Sequence, residues 1–252
     1  MESRVRIETD KAPPSTGFRS QAMAAGGLLF TGGMIGAPLE PDMAVREPAG
    51  TLAEQVDLCM RHLEQVTLAG GTEKSQVVEV SAFLVPFAEK EAVQQQVEAF
   101  LGHSVPLFNA RAVDDVAMHG LIELDWIAVL DEKISHAEAA EWLAPLGHAP
   151  GLHESGPFLV LNGLSAEGAT LGEQSYAVLR KADELLRAAG SSMQQLVKMN
   201  VYIAEFDPYP QFNDATRELF ADFTPPTRSV IVAPAVTAPA LLRIDFLALR
   251  GE

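Results

Sequence analysis

Pro225-Pro226-Thr227-Arg228-Ser229-Val230-Ile231-Val232 sets an arginine at the start of an apolar strand, and Ile244-Asp245-Phe246-Leu247-Ala248-Leu249 follows one hairpin later. The chain holds a second version of this arrangement, Phe108-Asn109-Ala110-Arg111-Ala112-Val113 and then Ile122-Glu123-Leu124-Asp125-Trp126-Ile127-Ala128-Val129. A guanidinium fixed on a rigid strand is suited to gripping a planar carboxylate through two parallel hydrogen bonds. The recurrence reads as a duplicated carboxylate-binding fold.

Outward from these stretches, the same order of elements occurs twice. Leu28 to Thr31 is a short buried strand bounded by Gly26-Gly27 and Gly32-Gly33, and Phe158 to Leu161 ends likewise at Asn162-Gly163. Helical spacing of Leu52, Val56, Cys59, Leu63 and Val66 stops at Gly70-Gly71, and a matching helix from Leu171 to Ala189 stops at Gly190. Strands Val77 to Val85 and Leu196 to Ala204 follow, then helices from about Lys90 to Leu101 and around Phe212 to Ala221. Gln55 and Gln174, Gly71 and Gly190, Phe83 and Tyr202, Gln94 and Asn213 all stand 119 apart, a constant register across helix, turn and strand. The offset slips in loops: Gly33 to Gln55 is 22 positions and Gly163 to Gln174 only 11, so the second copy has lost half of the hairpin loop that runs from Met34 to Gly50. Ser135 and Glu138 have capping-box spacing and predict a short linker helix, ended by Pro145. Each unit is α+β, with helices on one sheet face and the other face left to be buried against a neighbour.

Composition narrows the function. A hydrophobic fraction of 48% with 21% charged residues is that of a packed globular chain. The net charge of −16, with no basic cluster, disfavours nucleic acid as a partner, because that affinity rests on cations that displace counterions. Cys59 alone cannot form an internal disulfide and falls in a helical pattern, as a small buried hydrophobe. Met1 to Lys11 lacks the apolar core of a secretory signal, and Gln21 to Pro38 is too short and glycine-rich to span a bilayer, so a soluble cytoplasmic protein without membrane contact is expected. His148, His153 and Glu154 fit no zinc spacing, the Gly26 to Gly36 run lacks the Lys-Ser/Thr of a phosphate loop, and Ser155 lacks the glycine of a nucleophile elbow. No metal or organic cofactor is indicated.

The pattern Phe30-Thr31-Gly32-Gly33, Glu54-Gln55, Ala69-Gly70-Gly71, Val78 to Val85, Glu98-Ala99-Phe100, Asn109-Ala110-Arg111 and Ile122 to Val129 resembles the Rid/YjgF family of reactive intermediate deaminases, also known as L-PSP ribonuclease homologues. Asn162-Gly163, Glu173-Gln174, Ala188-Ala189-Gly190, Val197 to Ile203, Asn213, Thr227-Arg228-Ser229 and Ile244 to Leu249 carry the resemblance a second time. It implies two tandem chorismate-mutase-like (RidA-type) domains, each a mixed sheet with two helices on one face: residues 1–131 with the N-terminal tail, a linker helix over 132–145, and 146–252 with the shortened hairpin. It also implies clefts between units, a homotrimer, and hydrolysis of carboxylate-bearing enamines or imines such as 2-aminoacrylate or aminomuconate to a keto product and ammonia.

Residue by residue, the family arginine that holds the carboxylate points to Arg111 and Arg228, and the last-strand glutamate that positions water to Asp125 and Asp245, each one methylene shorter. The family tyrosine falls on Arg19 and Ala149, the serine on Gly32 and Asn162, followed by Gly33 and Gly163, the helix asparagine on Gln94 and Asn213, and the cysteine on Val113 and Val230. The plain alternative for the arginines is a structural ion pair with Asp114, Asp115 or Asp245, and Arg243 could simply pair with Asp245 on one strand face. Glu123 stands where the second copy has Arg243, so Glu123 and Asp125 are like charges on one side, which raises the pKa of one of them and suits a proton relay. Arg19 is either a second cation for the ligand, facing Arg111 of another unit, or a solvated loop arginine. The expected activity is a cofactor-independent hydrolytic deaminase. A non-catalytic keto-acid binder or scaffold is the alternative, and an endoribonuclease a third reading.

Overall fold

A computed structural model describes residues 4–15, 17–39, 45, 47–48, 50–148, 150–234, 236 and 239–251; Ala149 and parts of the loop after Met34 lie outside the described residues. Strands β1 (Val5–Ile7), β2 (Ala22–Ala25), β3 (Leu28–Thr31) and β4 (Met34–Ile35) precede helix α1 (Leu52–Ala69), then β5 (Val77–Leu84), α2 (Lys90–Leu101), β6 (Leu107–Ala112), β7 (Asp115–Val116) and β8 (Ile122–Val129). The linker helix α3 (His136–Leu143) leads to β9 (Gly151–Ser155), β10 (Phe158–Leu164), α4 (Leu171–Ala188), β11 (Leu196–Ile203), α5 (Tyr209–Leu219), β12 (Thr227–Val232) and β13 (Leu242–Leu249). The α+β duplication expected from the sequence is thus present, with one sheet ordered β1-β2-β3-β8-β5-β6 and the other β7-β12-β11-β13-β10-β9.

The elements form where local chemistry favours them. Thr51 caps α1 by accepting from the Glu54 N–H, and the Glu54 carboxylate accepts from the Thr51 N–H at 2.7 Å, satisfying two donors the helix would leave orphaned. Ser135 caps α3 through one bond, its hydroxyl accepting from the Glu138 N–H at 3.2 Å. Gly102, at φ +82, ends α2 in the left-handed conformation. One apolar cluster gathers Val56, Leu63, Val80, Leu124 and Trp126 between α1, α2 and the first sheet, and another gathers Val178, Leu186, Met199, Phe212 and Phe246 in the second unit.

The two sheets turn their other faces toward each other. Phe30 meets Phe158 edge-on at 5.4 Å, and Val78, Ile127, Val197 and Leu247 pack around them with Ala139, Leu143 and Leu146 of the linker. The inner face expected to seek a neighbour therefore finds one within the chain. The units are also laced together: β7, from the first half of the chain, pairs antiparallel with β12 of the second, and the Ser20 N–H and hydroxyl donate to the carbonyls of Pro226 and Pro225. Buried between the sheets, Lys198 pairs with Asp125 at 2.9 Å and donates to the Thr31 carbonyl, while the Ser229 hydroxyl donates to Asp125 at 2.5 Å. No helix among the described residues is long and apolar enough to cross a membrane.

Candidate functional site

Strand register separates the two arginines that the sequence set side by side. Phe83 and Tyr202 hold equivalent places on β5 and β11, but Arg111 pairs with Phe83, whereas Ile231 pairs with Tyr202. Arg228 pairs with Met199, whose equivalent, Val80, pairs with Phe108. Arg228 therefore has Phe108 as its counterpart, and Arg111 has Ile231, three positions along and on the opposite sheet face. The expected equivalence of Arg111 and Arg228 is overturned. The same register confirms that Glu123, paired with Phe83, and Arg243, paired with Tyr202, are counterparts.

At these two matched positions the first unit carries Phe108 and Glu123, and the second carries Arg228 and Arg243. The fold brings Glu123 and Arg228 together. The Gly33 N–H donates to the carbonyl of Arg228 at 3.1 Å, setting the end of β3 against the edge of β12. A cavity of about 240 Å³ opens at this seam, lined by Arg19, Gly33, Met34, Ile35 and Glu123 from the first unit and by Phe206, Tyr209, Arg228 and Val230 from the second. Val45, the loop residues Ala117 and Met118 carried across by β7, and Pro13 and Pro14 of the N-terminal segment complete its described walls. Gly33 must be glycine: a β-carbon there would overlap the Glu123 carboxylate.

Arg228 is 1% exposed, and its partners are neutral. Its Nη2 donates to the Tyr209 hydroxyl at 2.7 Å and to Asn213 Oδ1, its Nη1 lies 3.5 Å from Thr216 Oγ1, and its Nε has no hydrogen-bond partner among the described residues. Tyr209 and Phe212 also lie 5.6 and 5.4 Å from the guanidinium carbon, within cation–π range. Gly17, at φ +72, closes over it, and a β-carbon there would come within 2.5 Å of Nη2. Burial lowers the guanidinium's pKa, with Tyr209 opposing the shift and Arg19 adding to it. A cation so placed favours an anion in the cavity, since buried charge is costly without a counter-charge. The structural ion pair is excluded among the described residues for Arg228.

Glu123, 4% exposed, is the acid of this cavity. Burial raises its pKa to about 7; Arg19 pulls it down, Asp125 pushes it up, and the Val230 N–H supports the charged form. The expectation that Glu123 and Asp125 repel is met. The expectation that Asp125 faces the ligand is not, because Asp125 is fully buried and held by Lys198 and Ser229. Arg19 faces Arg228, not Arg111: its Nη1 donates to the carbonyls of Gly33 and Arg228 at 3.1 and 3.2 Å, beneath Gly32.

The remaining residues assemble elsewhere. Arg111 donates to the Tyr202 hydroxyl at 2.8 Å and is roofed by Gly147, so tightly that a β-carbon there would overlap the guanidinium. Arg243 lies over the same ring at 4.5 Å instead of pairing with Asp245, which accepts from the Gly163 N–H at 2.7 Å. Burial and Asp245 raise the Tyr202 phenol above its ordinary pKa. Asn162 holds the linker end, accepting from the Gly147 N–H and donating to the Pro145 carbonyl. Gln94 donates to Glu98 and does not line the cavity, whereas Asn213 grips Arg228. Sequence reasoning missed Tyr209, Thr216, Gly17 and Met118. It also held the signal that corrects the arginines: Glu123 to Arg243 and Phe108 to Arg228 are both 120 apart, whereas Arg111 to Arg228 is 117.

Comparison with known proteins agrees with this duplicated plan. The family model described as Endoribonuclease L-PSP matches residues 9–130 and again 154–250. The chain belongs to this family, as a two-copy Rid protein. Protein mmf1, mitochondrial, of Schizosaccharomyces pombe is 34% identical over 98 residues, 38% of this chain and 60% of its own. The Reactive Intermediate Deaminase A, chloroplastic, of Arabidopsis thaliana is 27% identical over 49% of this chain and 65% of its own, so these matches span under two thirds of either relative. The 2-iminobutanoate/2-iminopropanoate deaminase of Dermatophagoides farinae is 26% identical over 50% of this chain and 95% of its own. Among solved structures, the E. coli YjgF gene product superposes on 50% of this Rid chain, and 99% of its own, with a TM-score of 0.45 and 23% identity.

Proposed function

We propose that this Rid protein is a hydrolytic deaminase of a carboxylate-bearing imine or enamine, with one working cleft per chain assembled from its two halves. The observation that carries the reading is the buried Arg228, held by neutral groups, facing the same cavity as Glu123. In this reading Arg228 pairs with the substrate carboxylate through donors that Tyr209 and Asn213 leave in place. Glu123, titrating at about 7, takes a proton from water as its oxygen bonds to the imine carbon. The same carboxyl returns that proton to the nitrogen, giving a carbinolamine, and then relays the hydroxyl proton to the nitrogen as the carbon–nitrogen bond breaks, so that ammonia leaves and the oxygen remains as the keto group. An enamine first accepts a proton at its β-carbon and releases one from its nitrogen to become the imine. Holding an unstable imine beside one activated water supplies most of what this hydrolysis needs. Relatives named as iminobutanoate/iminopropanoate deaminases support the reaction class.

Ammonia release from freshly generated imines, measured against the spontaneous rate, tests this. Acceleration that disappears in Glu123→Gln is expected; saturable keto-acid binding without any acceleration would assign the cleft to a binding protein. A homotrimer of such chains is a further proposal, drawn from the family, that a solution mass measurement decides.

A further inference from the structure

The cavity has three charged groups among its described lining residues, Arg19, Glu123 and Arg228, and the proposed reaction occupies two of them. Arg19 already has Nη1 committed to two backbone carbonyls. The remaining wall is apolar: Met34, Ile35, Met118, Phe206 and Val230 surround a space of about 240 Å³, room for several waters. The one-carbon side chain of an alanine-derived imine would leave most of that wall uncovered.

One wall residue is held there at a cost. Met118 has φ 58 and ψ 29, a left-handed conformation that non-glycine residues avoid, and the residue lines the cavity while 43% exposed. Such strain persists where surrounding structure enforces it and gathers at binding sites. Here the enforcement is the pairing of β7 with β12 on one side and the Ala117 carbonyl, which accepts from the Gly120 N–H, on the other. An unbranched thioether adapts its shape to a variable apolar partner.

Resting on the deaminase reading, we infer that the substrate class is 2-imino acids with a medium-sized, uncharged apolar side chain, such as those formed by oxidation of leucine or methionine, with Met118 as a specificity-determining residue. The test compares kcat/KM for ammonia release from imines generated by an amino-acid oxidase acting on alanine, leucine, methionine and glutamate. The leucine and methionine imines are expected to exceed the alanine imine by at least tenfold, the discrimination that a few methylenes in an apolar pocket provide. Met118→Gly, which removes the backbone strain together with the side chain and so should fold, is expected to reduce that ratio threefold or more. Equal handling of the alanine imine, an unchanged ratio in Met118→Gly, or preference for the glutamate imine would overturn the inference while leaving the deaminase reading intact. If no imine is accelerated, the deaminase reading itself falls and takes this inference with it.

Discussion

Replacing Glu123 with Gln should make the protein more stable at alkaline pH while removing its activity. In the unfolded chain this carboxyl titrates near 4.5, and in the folded cavity at about 7, because burial penalises the anion more than Arg19 relieves it. Between those values the folded state binds the proton that the unfolded state has lost, so stability falls as pH rises through this window. About 2.5 units at ~1.4 kcal/mol each gives a loss of about 3 kcal/mol, complete once pH exceeds the folded value. Glutamine keeps the size and the acceptor for the Val230 N–H and never ionises. Urea unfolding at pH 5, 6, 7 and 8 should show wild type losing stability along this series, with a shallower slope in Glu123→Gln and a gap of up to about 3 kcal/mol in its favour at pH 8. Glu79, also raised to about 7 by burial, leaves some slope in both proteins. Parallel slopes, or a Gln variant less stable at pH 8, would refute the argument that Glu123 is held in the cavity against its own solvation.

Other outcomes follow from the same contacts. Arg19→Met removes the cation that most favours ionised Glu123, so the limb of the pH–rate profile set by this group should move upward; a downward shift would exclude the pairing. Lys198→Met strands the Asp125 carboxylate between the sheets and should cost about 3–5 kcal/mol by urea unfolding, with Lys198→Met/Asp125→Leu costing less than the single change. Thr51→Ala deletes the reciprocal cap of α1 and should cost about 1 kcal/mol without altering kcat/KM.

The fold was legible because duplication left a constant spacing through Gln55, Gly71 and Phe83, and because helical and strand periods changed at glycines. The site was only half legible. A strand's side chains switch faces with each residue, so choosing Arg111 as the partner of Arg228 moved the group to the wrong face, although the residue types matched. The bias toward a repeated arginine concealed Phe108, whose 120-residue offset from Arg228 also relates Glu123 to Arg243. Asp125 appeared catalytic because its partner Lys198 lies on the other unit, and no local pattern announces a contact across a seam between sheets. Tyr209 and Asn213 lie four residues apart on one face of α5, a spacing visible in sequence but informative only once Arg228 is known to point beneath that helix.

If one cleft per chain does the work, built on Arg228 of the second half and Glu123 of the first, the two strand arginines must differ in function. Ammonia release measured side by side for Arg228→Met and Arg111→Met tests it most directly. Arg228→Met is expected to lose carboxylate binding and turnover by a factor of 100 or more (about 2.7 kcal/mol), while Arg111→Met keeps wild-type kcat/KM within about threefold. Equal loss in the two variants, or loss in Arg111→Met alone, would contradict it.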